Sequence, residues 1–576
     1  MKSSRALRAV LTGFMLLGAP AAIADITGLV VDEFDGQPIA DARVRVQATV
    51  TPPALSAADG SFSLPDPASS VVVTAALPYD STRPLNYIIG SQTAAPGDDI
   101  VIRLRRLPAS DQSPYQPATS VDCASCHSDQ FQQWQDSRHA GAGTNPWVLD
   151  LFSGNGTPGG AAGYVFRDTH DPGETGFCAT CHAPLADAQD PGNVMLDEVT
   201  LPAGLDGVNC LACHQMAEVN DDVDALHHLG NTLYRFPEDP SPSLWVWGPL
   251  DDISFDTMRS SFQPGFSESR FCASCHQYDN PDTGAPGQST FEEWLASPYS
   301  APGPGFRACQ DCHMPEAAGP GPISSLSGQP IRPASQRHSH EFIGSTPATL
   351  AQAMDLDLVA ALDGTSVLVS ADVSNVGAGH AFPTGVSIRN AILHVEATAS
   401  GQPLPLVDGP TIPYYGSADG GTGPDDLAGR AGRGYARVLA GRINGTGPVV
   451  SPVLFIDAES VESDTRIPAG ASDISAYRFD LSGVAGPAVI EVRARLLYRR
   501  AWRELAVTKG WTQTPSGDPV QTVVASADAT LTWFGSGMPV AVPALGTWAL
   551  GLLISLVLAA AWASSPRGRR RRGSPR

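Results

Sequence analysis

The chain has 576 residues, a formal net charge of −23, 57 glycines, 50 prolines and 10 cysteines. That length accommodates three or four domains of roughly 100–200 residues each. The acidic balance argues against nucleic acid or an anionic membrane surface as a partner and suits cationic docking proteins, or simply a solvated acidic surface. The glycine and proline content predicts loops and β-turns in place of long helices.

Residues 1–24 carry Lys2, Arg5 and Arg8, then the apolar run Ala9 to Leu17, then Ala22-Ile23-Ala24 before Asp25. This pattern predicts a secretory signal peptide with a small-residue cleavage site; the apolar run is short for a retained anchor.

Over 25–108 the pattern is that of short strands. Ala42, Val44, Val46, Ala48 and Val50 alternate with polar residues, Asp59-Gly60 marks a turn before Ser61-Phe62-Ser63-Leu64, and Val71 to Thr74 adds a further strand. The succession Thr27-Gly28-Leu29-Val30-Val31-Asp32, Gly36-Gln37-Pro38-Ile39, Ala42-Arg43-Val44 and Ala58-Asp59-Gly60-Ser61-Phe62 resembles the carboxypeptidase regulatory-like β-sandwich family. The resemblance implies a scaffold or spacing module without catalysis.

After a linker from Pro108 to Ser120 the sequence contains Cys-x-x-Cys-His five times: Cys123/Cys126/His127, Cys178/Cys181/His182, Cys210/Cys213/His214, Cys272/Cys275/His276 and Cys309/Cys312/His313. These motifs, numbered one to five, use all ten cysteines. Two thiols three residues apart can add to the two vinyl groups of one haem, while the following histidine binds the iron. Zinc ribbons have no need of a histidine at that place, and dithiol enzymes carry one such motif, so neither explains a fivefold repeat. The expectation is five covalently attached c-type haems with their iron, in a loop-rich, mainly α domain over 118–345.

Within this region the sequence nearly repeats itself. The first motif is followed by Phe131, Trp134, Ser137 and His139; the fourth by Phe291, Trp294, Ser297 and Tyr299. The aromatic pairs stand three apart, on one face of a helix, and in each copy a side chain follows them: histidine in the first, tyrosine in the second.

Past Gly344 the strand pattern returns. Val367 to Ala371, Ile392 to Glu396, the alternating Ile490 to Tyr498 and Ala529 to Trp533 predict a second β-sandwich over 346–535. The final segment, 541–576, is uncharged from Ala541 to Pro566 and ends in Arg567, Arg569, Arg570, Arg571 and Arg572. It reads as a transmembrane helix with a cytoplasmic basic end. Val542-Pro543-Ala544-Leu545-Gly546-Thr547-Trp548-Ala549 also resembles the IPTL-type C-terminal sorting signal through Pro543, Leu545 and Trp548. A simple membrane anchor is the alternative.

Each haem iron has a sixth position; a second histidine there makes it an electron carrier, and an open one lets a substrate bind. Eight histidines lie outside the motifs. His139 and His170 are the first candidates. His227 and His228 offer one ligand between them, with His228 the candidate, and His338 and His340 another, with His340 the candidate. His380, in the loop Gly377 to Gly385, could cap a haem from the neighbouring β-domain or bond only backbone. His394 reads as structural, and Met216 and Met258 are further possible ligands.

Cys123 to His127 with Trp134, Ser137 and His139-Ala140, then Gly207-Val208-Asn209-Cys210 and Cys309 to Met314-Pro315, resemble the tetrahaem electron-carrier cytochromes of ammonia oxidisers. That family implies closely stacked haems, mostly with two histidine ligands, and a histidine at the place of His139 that serves a haem other than its sequence neighbour. The chain departs from it in having five motifs and in Tyr299. The expected function is electron transfer by an exported cytochrome, at the periplasmic membrane face or cell surface, with redox proteins as partners. Two alternatives are an oxidoreductase acting on a small nitrogen or sulfur compound at one five-coordinate haem, and a surface adhesion or matrix protein.

Overall fold

The computed structural model describes residues 25–220, 232–238, 244–255 and 258–535. Its first sheets follow from alternation. Asp99–Leu104 and Ser61–Leu64 bury every second residue, and both pair with Ile26–Asp32, the first in parallel and the second antiparallel. Arg43–Val46, Val71–Ala76 and Gly90–Ala94 make most of the facing sheet. Val30, Val44, Phe62, Val73, Ile102 and Leu104 fill the space between. Each such side chain contributes about 1.5–3 kcal/mol on burial. The alternation from Ala42 to Val50 predicts a longer strand than forms: it ends at Val46, and Ala48 has φ +59°.

The last strands form a second sandwich. Ser366–Asn375 lies between Met354–Asp363 and Ser472–Asp480, and Ala488–Arg499 lies between Asn390–Ala399 and Gln521–Trp533. Inward residues of both layers, among them Val369, Val373, Leu393, Val395, Phe479, Ile490 and Val492, make one core.

Between the two sandwiches, the described residues of 118–345 form short helices, 3-10 turns and two-stranded ribbons. Four of the five motifs are themselves five-residue helical turns or end one, Cys178–His182, Cys210–His214, Arg270–His276 and Cys309–His313. The first ends just after the helix Ser120–Ala124.

Both sandwiches are riveted to this region by buried polar contacts. Asp251 accepts from Arg43 and Arg45 at 2.7 and 2.8 Å, and Asp252, itself paired with Arg332 at 2.8 Å, accepts from the Ala48 backbone at 2.7 Å. On the other side the fully buried Lys509 donates to the carbonyls of Asp150, Gly160 and Tyr164 at 3.0, 2.5 and 2.6 Å, and Trp511 stacks on Trp147 with centroids 4.3 Å apart.

One expectation is corrected. No helix among the described residues is long and apolar enough to cross a membrane, so no transmembrane helix is part of the described fold. The longest described helix, Ser128–Gln135, has 8 residues, whereas a span needs about twenty apolar ones. The segment 541–576 itself, like the leader 1–24 and the histidines 227 and 228, lies outside the described residues.

Candidate haem centres

The motif turns converge on one cavity of about 1910 Å³, lined by all five motif histidines and nine of the ten motif cysteines, Cys126 being the exception. All ten cysteines are free. Cys123 lies within hydrogen-bonding reach of Cys210, Cys181 of Cys275, and Cys272 of Cys309. Cys213 is close enough to Cys275 and Cys272 to feel their charge. The first motif therefore adjoins the third, and the fourth adjoins the second, third and fifth.

Each motif histidine is oriented through Nδ1. His127 donates to the Ile323 carbonyl at 2.8 Å, His182 to Ala142 at 3.2 Å, His214 to Trp247 at 2.8 Å, and His313 to Ile343. His276 instead meets the amide of the buried Gln288 at 2.9 Å. Where Nδ1 donates to a carbonyl the bond fixes the tautomer and leaves Nε2 as the free metal-binding atom, and His276 has that tautomer when the Gln288 amide turns its oxygen to Nδ1. Burial pushes the His276 imidazole down to about 3 and lowers those of His182 and His214, so they are neutral and ready to ligate near neutral pH. Paired thiols, oriented neutral imidazoles and a shared apolar cavity fit covalent haem.

Four further histidines line the cavity: His139, His338, His340 and His380. The His139 ring stands 6.4 Å from that of His276, and the His380 ring 6.4 Å from that of His313 with planes only 13° apart. Metal–imidazole bonds of about 2.0 Å on both sides of one iron require roughly this separation. His139 thus faces the fourth motif, not its neighbour His127. His338 and His340 have Nδ1 on the carbonyls of Met314 and His338, at 2.8 and 3.0 Å, and His380 on that of Ala381 at 3.1 Å, which repeats the arrangement of the motif histidines. His340 is held down to about 4 by burial and by the nearby His214 and, less strongly, His127.

His170 is placed otherwise. Its Nε2 is 3.1 Å from the carboxylate of the fully buried Asp457, its Nδ1 is 3.2 Å from the Phe166 carbonyl, its ring stacks on Phe166 at 4.1 Å, and it does not line the cavity. Both nitrogens are occupied by protein, so His170 is not positioned as an iron ligand. His394 is buried in the strand Asn390–Ala399 beside Arg495 and Glu396. Met216 and Met258 line the cavity on strands. Beside His182 no second imidazole appears among the described residues.

The sequence repeat has a structural counterpart. Trp134 donates to the Val208 carbonyl at 2.7 Å and Trp294 to that of Arg307 at 2.8 Å. The Ser137 and Ser297 hydroxyls accept from the backbone of His139 and Tyr299, each at 3.2 Å. The residue before each tryptophan holds a segment bearing a cavity histidine. Gln133 accepts from the His340 backbone at 2.9 Å; Glu293 accepts from the Thr384 hydroxyl at 2.6 Å and from the Ala381 backbone at 3.3 Å. Tyr299 packs near Gly379, beside His380. Sequence reasoning missed Gln133, Glu293, Gln288 and Asp457. The shared position before Trp134 and Trp294 was a signal for the first two; nothing local marks the others.

Residues 122–215 match the family described as cytochrome c554 and c-prime. A crystal structure of a penta-heme cytochrome c552 from Thermochromatium tepidum is similar at 24% identity and a TM-score of 0.49, over 72% of this chain and 99% of that one. No curated protein matches the chain. The family match spans three of the five motifs, and the motifs and that match together support covalently bound haem c with its iron.

Proposed function

We propose that this chain is an exported electron-transfer protein holding one haem at each motif and exchanging electrons with redox partner proteins. The single observation that carries this reading is the shared cavity, in which cysteines of neighbouring motifs nearly touch and second imidazoles stand opposite His276 and His313. When bound, each haem supplies one reversible electron at its iron. The protein's part is to hold both axial imidazoles neutral and oriented, so that little rearrangement accompanies a change of charge, and to keep water away. His276 and His139 would hold the fourth haem, His313 and His380 the fifth. His340, which feels the charge of His214 and His127, would serve one of those two motifs. The leader-like pattern over 1–24 supports export.

A second reading is favoured at the second motif, where His182 lacks a facing imidazole among the described residues. A haem with an open position there would take a small nitrogen or sulfur compound, and the chain would be an oxidoreductase as well as a conductor.

Electron paramagnetic resonance of the purified ferric protein separates the two. Low-spin signals alone, with no binding of nitric oxide, support a carrier. One stoichiometric high-spin haem that binds nitric oxide supports chemistry at the second motif and overturns the pure carrier.

A further inference from the structure

Five arginines line the cavity: Arg138, Arg307, Arg337, Arg389 and Arg500. Arg138 pairs with Asp518 at 2.7 Å, and Arg500 donates to the carbonyls of Pro519 and Ser345 at 2.6 and 2.7 Å. Arg307 and Arg337 rest on carbonyls at 2.6 and 2.7 Å. Arg389 differs. Its guanidinium makes one long bond, 3.3 Å to the Thr384 carbonyl, and no ion pair among the described residues. Glu293, which like Arg389 acts on His380, is already engaged by Arg466, Thr384 and Ala381.

Its position is built. Gly385 has φ +92°, and a Cβ there would stand 2.7 Å from the Arg389 Nη1 and 3.2 Å from its Cζ. The left-handed glycine thus leaves the room in which the guanidinium lies. From that place its charge bears on both His276 and His380, and on Tyr278 and Arg500.

A haem brings two carboxylates into such a cavity. A buried carboxylate needs a cation, and a guanidinium meets it with two parallel hydrogen bonds where an ammonium offers only a point charge. We propose that Arg389 is a propionate-binding residue, pairing with a haem carboxylate between the fourth and fifth motifs and so raising that haem's reduction potential. The sign follows from charge: a nearby cation favours the form that has gained an electron. The inference rests on haems being held at both motifs. It gives the loop Gly377 to Gly385 and the residues just after it two tasks, presenting His380 to the fifth motif and supplying a counter-cation to the same haem pair.

The test is a potentiometric titration of the full haem-loaded chain, followed by absorbance, for the wild type and for Arg389→Gln, Arg389→Lys and Gly385→Ala. Haem content by pyridine haemochromogen and ferric spin state are recorded alongside. Arg389→Gln should shift one midpoint downward, leave the others in place and make that midpoint fall as pH rises near neutrality, because the unpaired propionate then titrates. His276, His380, Tyr278, Glu293 and Arg500 are the other ionisable groups around it. Arg389→Lys should keep most of the wild-type potential, and Gly385→Ala, which crowds the guanidinium, should shift the same midpoint and carries the test should the glutamine variant fail to load haem. Five unchanged midpoints in Arg389→Gln, or equal shifts in the lysine and glutamine variants, would overturn the assignment. Fewer than five haems in the wild type would instead overturn the reading beneath it.

Discussion

His313 and His380 face each other with ring centroids 6.4 Å apart and planes 13° apart, although one belongs to the last Cys-x-x-Cys-His motif and the other to a loop of the C-terminal sandwich. Asn375, itself buried, holds that loop from within the sandwich by donating to the His380 carbonyl at 2.9 Å, while Glu293 holds it from the haem side. The sandwich therefore lines the motif cavity and positions the His380 imidazole opposite His313.

Replacing His380 by alanine should convert one haem from low to high spin. Ferric electron paramagnetic resonance should gain one high-spin signal, and added imidazole should reverse it. An unchanged spectrum would remove His380 from the ligand set.

His139→Ala should likewise produce one high-spin haem, and a different one, because its ring faces His276. The double variant His139→Ala, His380→Ala should show two. If the double variant shows only one, the two histidines serve the same iron and the assignment to separate motifs is wrong.

Glu293→Ala removes the acceptor that Arg466, Thr384 and Ala381 share. Hydrogen bonds to a charged group contribute about 1.5–3 kcal/mol each, so the variant should keep a low-spin fifth haem at room temperature but lose it at a lower temperature than the wild type. Gln133→Ala, with one neutral contact to the His340 backbone, should show a smaller drop. Variable-temperature absorbance reads both, and an equal effect of the two would contradict the difference in their bonding.

For His170→Ala the expectation is opposite in kind. No haem should change spin state, but removing the imidazole leaves the Asp457 carboxylate buried with fewer partners, at a cost of about 1–3 kcal/mol. Thermal unfolding should therefore shift downward while the ferric spectrum stays as it is. A new high-spin signal would restore His170 as a ligand.

Much of the molecule was legible from the chain alone because its signals are local. Thiol spacing sets haem attachment within five residues, and strand alternation such as Ile490 to Tyr498 is decided by which face is buried, so both could be read without a fold. The aromatic repeat around Trp134 and Trp294 was visible for the same reason. The sixth ligands were not legible in this way. A histidine becomes a ligand when its Nε2 is left free and aimed at a particular iron, and that depends on residues far off in sequence: His139 reaches the fourth motif, and His380 arrives from another domain. His170 looked equivalent to His139 in sequence, yet Asp457, nearly three hundred positions away, takes its free nitrogen. The sequence by itself determined the cofactor and displayed the five motifs, since covalent chemistry needs only neighbours in the chain. Tertiary structure alone decided which imidazoles face one another, because those distances are set by how segments far apart in the chain pack, and for His380 by how the second sandwich packs against the motif region.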